Sequence, residues 1–151
     1  MNTRTFALVL GVVLLLSGVA GFIPGLVTYG AHQAGAAAPA ADASYGYLLG
    51  LFPTNALHNL FHLAWGLYGV LAYRSGLRVA RGFAKASAVV YAVLVVLGLI
   101  PGLNTVFGVL PLFGHDVWLH ALIVIAAAYF GFARAVEAEP VGSATAGRPR
   151  V

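Results

Sequence analysis

The chain has 151 residues, 61% of them hydrophobic and 8% charged, and its mean hydropathy is +0.93. A water-soluble domain carries about 25% charged residues, so these proportions exclude an ordinary soluble surface and point to the membrane class. The net charge of +4 comes without an aromatic-interleaved basic patch, which argues against a nucleic-acid partner, and the absence of cysteine excludes disulfides, thiolate metal sites, cysteine nucleophiles and thioether-attached haem.

Crossing the hydrocarbon core takes roughly 20 mostly apolar residues, and four segments qualify. The first covers about 5–23 and stops at Pro24-Gly25. It also resembles a secretory signal, with a short basic start and alanine-rich sequence from Ala36 to Ala43. Its exit, Gly21-Phe22-Ile23-Pro24-Gly25-Leu26, recurs at the end of the third segment as Gly98-Leu99-Ile100-Pro101-Gly102-Leu103. A disposable signal has no reason to match a later span, so the segment reads as a membrane helix. The alanine- and glycine-rich stretch 28–44 reads as a flexible loop.

The second segment covers about 55–73 and the third about 83–100, ending at Pro101-Gly102. The fourth covers about 115–133, and the remainder, 136–151, reads as a disordered tail. Gly50-Leu51-Phe52-Pro53 ahead of the second segment recurs as Gly108-Val109-Leu110-Pro111 ahead of the fourth, 58 positions later (108 − 50). The expected fold is therefore an all-α, four-helix integral membrane bundle made of two parallel helical hairpins, with one domain over 1–135. Glycines 18, 21, 25, 66, 69, 98 and 102 are expected to let helices approach closely. Trp65, Trp118 and the tyrosines are expected as interfacial anchors or core.

The basic residues predict the orientation. Arg4 precedes the first span; Arg74, Arg78, Arg81 and Lys85 lie between the second and third; Arg134, Arg148 and Arg150 follow the fourth. Loops 24–54 and 101–114 contain none. Under the positive-inside rule both termini are cytoplasmic in a bacterial-type plasma membrane, and Arg74, Arg78, Arg81 and Lys85 set topology and touch anionic lipid.

Polar residues cluster where the second and fourth spans begin. Asn55, His58, Asn59 and His62 are spaced i, i+3, i+4, i+7, one continuous stripe on a helix. Asp116 and His120 are i, i+4 and, at the 58-residue offset, stand where His58 and His62 stand. At 1.5 Å per residue His62 lies roughly 10 Å below the helix start, in the outer half of the hydrocarbon. Polar groups there are costly unless paired.

Three readings follow. The cluster organises helix packing or a subunit interface, with a second copy or another membrane subunit as partner. Alternatively, it binds a cofactor: His58, His62, Asp116 and His120 form a set suited to zinc, copper or iron, or His62 and His120 are the axial ligands of a b-type haem, the asparagines orienting the imidazoles. Thirdly, it is a proton or small-solute path in an oligomer. His32 and His115 are expected at solvated positions. No nucleophile–base pair, phosphate-binding glycine loop or carboxylate pair supports enzymatic hydrolysis.

The Gly-Phe-Ile-Pro-Gly exit at residues 21–25, the Asn55-x-x-His58-Asn59-x-x-His62 motif and the Asp116-x-Trp118-Leu119-His120 motif resemble a family of small bacterial membrane proteins catalogued as domain of unknown function 4383. The resemblance runs to about Ala135 and implies a four-span membrane protein without an assigned activity. The family often carries asparagines around the aspartate, where this chain has Phe113, Gly114 and Val117.

Overall fold

A computed structural model describes residues 1–29 and 45–133. The order is α1 (Thr3–Ala20), β1 (Val27–Tyr29), β2 (Gly46–Leu48), β3 (Phe52–Thr54), α2 (Ala56–Ser75), α3 (Leu77–Leu99) and α4 (His115–Ala128), prolonged by a π-helical turn, Tyr129–Ala133. The flexible loop expected over 28–44 and the tail over 136–151 lie almost wholly outside the described residues.

Local chemistry sets the helix ends. Asn2 caps α1, its side chain accepting from the Thr5 N–H, and Asn55 caps α2 in the same way through the His58 N–H at 2.9 Å. Gly76 and Gly114 open α3 and α4 without a side-chain cap. The span expected over 83–100 belongs to a longer helix, because α3 begins at Leu77 and carries Arg78, Arg81 and Lys85 on its first turns. Three helical stretches, Thr3–Ala20, Leu77–Leu99 and His115–Ala133, are long and apolar enough to cross a membrane. In α2, histidine, asparagine, tyrosine and tryptophan lower the hydropathy. Its exposed positions from Ala56 to Leu71 are nevertheless all apolar: Ala56, Leu57, Leu60, Ala64, Leu67 and Leu71.

Helices α1 and α2 run antiparallel and nearly touch backbone to backbone. A Cβ on Gly66 would sit 2.7 Å from the Gly11 carbonyl oxygen, and one on Gly11 would sit 2.8 Å from that of Gly66. Gly11, not expected as a packing residue, is half of this contact. Gly25 and Gly102 correct the expectation: no atom lies within 4 Å of a Cβ at either, but their φ angles are 92° and 88°. They serve left-handed turns after Ile-Pro, where a side chain would be strained. Positive φ also recurs at Leu49–Gly50 and at Phe107–Gly108.

The apolar core lies toward the end of the bundle that carries Arg4, Arg74, Arg78, Arg81 and Lys85, called here the basic end. It joins Phe6, Leu10 and Leu14 of α1, Ala72 of α2, Phe83, Ala84 and Tyr91 of α3, and Phe130, whose ring stacks on Phe6 at 4.7 Å. The π-helical turn brings Gly131 against the backbone of Lys85. Trp65 belongs to the interior and donates its indole N–H to the Ser87 hydroxyl at 3.0 Å, whereas Trp118 is 70% exposed. At the opposite end β1, β2 and β3 form an antiparallel sheet in that order, Val27 pairing with Leu48 and Gly46 with Thr54. Pro53, which cannot donate to a ladder, sits in an edge strand. This cap is the one described element that the sequence reading lacked, since three-residue strands are too short for an alternating pattern to register. Burial, and then Tyr45 beside it, raise the Tyr47 phenol above its ordinary pKa.

Two outcomes follow for the detergent-solubilised protein. Gly66→Ala forces α1 and α2 apart and lowers unfolding stability by about 1–3 kcal/mol, whereas Gly82→Ala, with open space around its Cβ, raises it by about 0.5–1 kcal/mol. Asn55→Ala loses both the cap and the bond that Asn55 Nδ2 donates to the Val109 carbonyl at 2.8 Å, at about 1–2 kcal/mol. Asn55→Asp restores the cap alone and recovers part of that loss. Thermal unfolding of the four variants checks both.

Candidate functional site

The polar stripe of α2 divides between two neighbours. Asn59 faces α1, where its side chain fills the space that a Cβ on Gly21 would need and its Oδ1 accepts from the Thr54 hydroxyl at 2.6 Å. Asn55 is committed to the helix cap and to Val109. Neither side chain bonds to an imidazole, which corrects the expectation that the asparagines orient the histidines. The positions are right for one helical face only in projection: Asn59 shares an edge with Gly66 against α1, and His58 with Trp65 turns toward α3 and α4.

His58 and His62 of α2 meet Asp116 and His120 of α4 beneath the cap. The ring centroids of His58 and His62 are 4.5 Å apart, and those of His58 and His120 6.1 Å. One ligand nitrogen from each of the three imidazoles can be chosen so that all lie within 4.8 Å of one another. Asp116 Oδ2 stands 3.7 Å from His58 Nε2 and 3.9 Å from His120 Nε2. His58, Asp116 and His120 are buried and His62 is partly buried. The helix start favours a carboxylate at Asp116, which occupies the first turn of α4.

The groups converge without bonding to each other. His120 Nδ1 and Asp116 Oδ2 are buried and find no hydrogen-bond partner among the described residues, and the His58 ring has only a weak approach to the Pro53 backbone. Separations of 3.7 and 3.9 Å exceed the roughly 2.7–3.2 Å of a real hydrogen bond. Tyr91 of α3 joins them: its ring lies 5.0 Å from that of His120, and its hydroxyl is likewise buried and unpartnered. Sequence reasoning treated Tyr91 only as one of the tyrosines. Its one available signal was a phenol in the middle of an apolar run, which does not reveal what the phenol faces.

The remaining polar positions do not enter the cluster. His115 is exposed, its ring 6.4 Å from Phe52. His32 lies outside the described residues. Arg74, Arg78 and Lys85 are exposed at the basic end, with the Lys85 ammonium 5.4 Å from the centre of the Phe132 ring, and Arg81 is partly buried there. Chemically, the cluster offers three imidazoles, one carboxyl group and one phenol in a largely buried setting, a donor set that suits a small cation.

No curated protein and no solved structure matches the chain. The Asn-x-x-His-Asn-x-x-His and Asp-x-Trp-Leu-His motifs, and the helices that bring their histidines together, fall within residues 4–133, the stretch matched by the family described as Domain of unknown function (DUF4383), and the chain belongs to that family.

Proposed function

We propose that this chain is a four-span membrane protein that binds a transition-metal ion, zinc above all, between α2 and α4 through His58, His62 and His120. One observation carries the reading: three imidazole donors converge within 4.8 Å while the buried polar atoms around them lack hydrogen bonds. A network kept only for helix packing would pair these groups with one another, because an unsatisfied buried polar group costs about 1–3 kcal/mol. An ion at the centre of three donors no more than 4.8 Å apart is at most about 2.8 Å from each, against roughly 2.0–2.1 Å for a zinc–imidazole bond. Shifts below an ångström therefore close the site. His58, its ring 4.5 Å from that of His62, and Tyr91, its ring 5.0 Å from that of His120, crowd the two imidazoles, which favours a small ion over a porphyrin.

The apolar stripe Leu57, Leu60, Leu67 and Leu71 supports α2 as the fourth span: its outer face suits lipid, and its polar residues turn inward. The basic end supports cytoplasmic termini in a bacterial plasma membrane, with Arg74, Arg78, Arg81 and Lys85 against anionic lipid. Two parallel hairpins are supported by the recurring motifs and by left-handed backbone at equivalent positions, Gly25 with Gly102 and Phe107 with Leu49.

Protein purified in mild detergent without chelator carries close to one zinc or other transition-metal ion per chain. His58→Ala, His62→Ala and His120→Ala each lower affinity at least tenfold, and Asn59→Ser, outside the donor set, retains it; elemental analysis and titration measure both. A wild-type protein that is ion-free and takes up none of zinc, cobalt, copper, nickel or iron overturns the reading. Topology is tested on the cysteine-free background: in whole cells a membrane-impermeant thiol reagent labels Leu49→Cys and leaves Ser75→Cys untouched. The reverse pattern, or equal labelling, rejects the orientation.

A further inference from the structure

The two ends of the bundle are held together by different means. Toward the basic end, residues from all four helices share one apolar core, from Phe6 and Leu10 through Ala72 and Phe83 to Ala127. Over their whole lengths, α2 packs chiefly on α1 and α4 chiefly on α3. The glycine contact of Gly18 with the Asn59 backbone belongs to the first pair, and that of Gly98 with Leu112 and Val117 to the second. Between α2 and α4 at the histidine end stand the imidazoles of His58 and His120 and the carboxylate of Asp116. Apart from the Asn55–Val109 bond and the contacts of the sheet with α4, the junction is left to polar side chains that do not hydrogen-bond to each other.

Charge makes the same point. Asp116 is the sole carboxylate among the described residues, and it is buried beside two imidazoles. A carboxylate in a low-dielectric interior is costly without a cation. A divalent ion on three neutral imidazoles would in turn leave two positive charges buried; the carboxylate halves that. Asp116 stands outside the 4.8 Å set that the three imidazoles form, but its Oδ2 lies 3.7 and 3.9 Å from His58 Nε2 and His120 Nε2, so closure of the site around an ion brings it toward the roughly 3.3 Å between neighbouring ligands of a tetrahedral zinc ion.

We propose that the bound ion is a staple: with Asp116 as its charge-balancing fourth ligand, it fastens the α3–α4 hairpin to the α1–α2 hairpin at the histidine end of the bundle. The inference rests on the metal-binding reading and adds a role to it. Two donors come from each hairpin, so the ion cannot bind tightly without fixing their separation. A donor set filled by four protein ligands has no open position for substrate, which makes the site structural rather than catalytic.

The test uses the full-length protein in detergent, stripped with chelator and refilled with zinc or cobalt. Refilling raises the unfolding midpoint of the wild type by about 5–10 °C when free ion stands at a hundred times its Kd. Nitroxides at Leu57→Cys on α2 and Leu122→Cys on α4, both exposed positions, give a distance distribution that is narrow with the ion and broad without it. Cobalt gives the intense visible bands of a tetrahedral site. Asp116→Asn binds at least tenfold more weakly and loses most of the midpoint rise. Stoichiometric ion with an unchanged midpoint and distance distribution overturns the staple while leaving ion binding intact. Weak octahedral cobalt bands, or Asp116→Asn stabilised like the wild type, remove Asp116 from the ligand set. A wild type that binds no ion overturns both this proposal and the reading beneath it. If Asp116→Asn does not fold, the stripped and refilled wild type decides alone.

Discussion

The approach of α1 to α2 sets up the rest of the bundle. Gly11 and Gly66 bring the two backbones to contact, and that contact fixes the rotation of α2 about its own axis. With Asn59 and Gly66 turned toward α1, one side of the polar stripe is spent on the helix pair. His58, on the adjacent edge, has only α3 and α4 to face. Any larger residue at the glycines would move α2 outward or turn it, and the histidines would no longer meet Asp116 and His120. The candidate site thus depends on two residues without side chains, Gly66 one to two turns further along α2 and Gly11 opposite it on α1.

The same constraint sorts the polar residues by job. Asparagine carries both a donor and an acceptor, and both asparagines of the stripe are bonded within the protein. Asn55 closes the helix start and holds the 101–114 loop through Val109; Asn59 receives the Thr54 hydroxyl at the edge of the sheet. Histidine is bulkier and has fewer bonding directions, and His58 and His120 remain unsatisfied. A hydrophobic bundle tolerates such groups only when something outside the protein's own hydrogen-bonding inventory compensates them. The asparagines close on groups of the protein itself, and the histidines are left for the ion that the proposed function assigns to them.

Seen along the membrane normal of the proposed orientation, the molecule has an apolar core toward its basic half and a polar junction in the other. Aromatic contacts bridge the two: Phe61 stacks on Trp65 at 5.5 Å and meets Tyr91 at 6.3 Å, and Tyr91 in turn meets His120. Tyr91 is therefore both a core residue and the phenol nearest the cluster.

Hydrophobic run length and Pro-Gly stops were enough to predict four helices, and the placement of arginine to predict that the basic residues gather at one end of them. Each of these is a property of consecutive residues acting against a solvent, so it survives in the sequence alone. The resemblance at residues 21–25, 55–62 and 116–120 marked the family on the same local grounds. The cluster was legible in part: i, i+4 spacing does put His58 with His62 and Asp116 with His120, because a helix carries its own geometry. Which of those side chains would meet across helices was not legible. That depended on the rotational setting of α2, on Gly11, which spacing does not distinguish from any other glycine, and on Tyr91, a residue of a third helix. The small sheet escaped for a related reason, since its short strands hold through pairing with each other and not through any pattern of their own. What the chain dictates locally, it writes in consecutive residues; which unpaired polar groups end up facing one another is decided only when the helices pack.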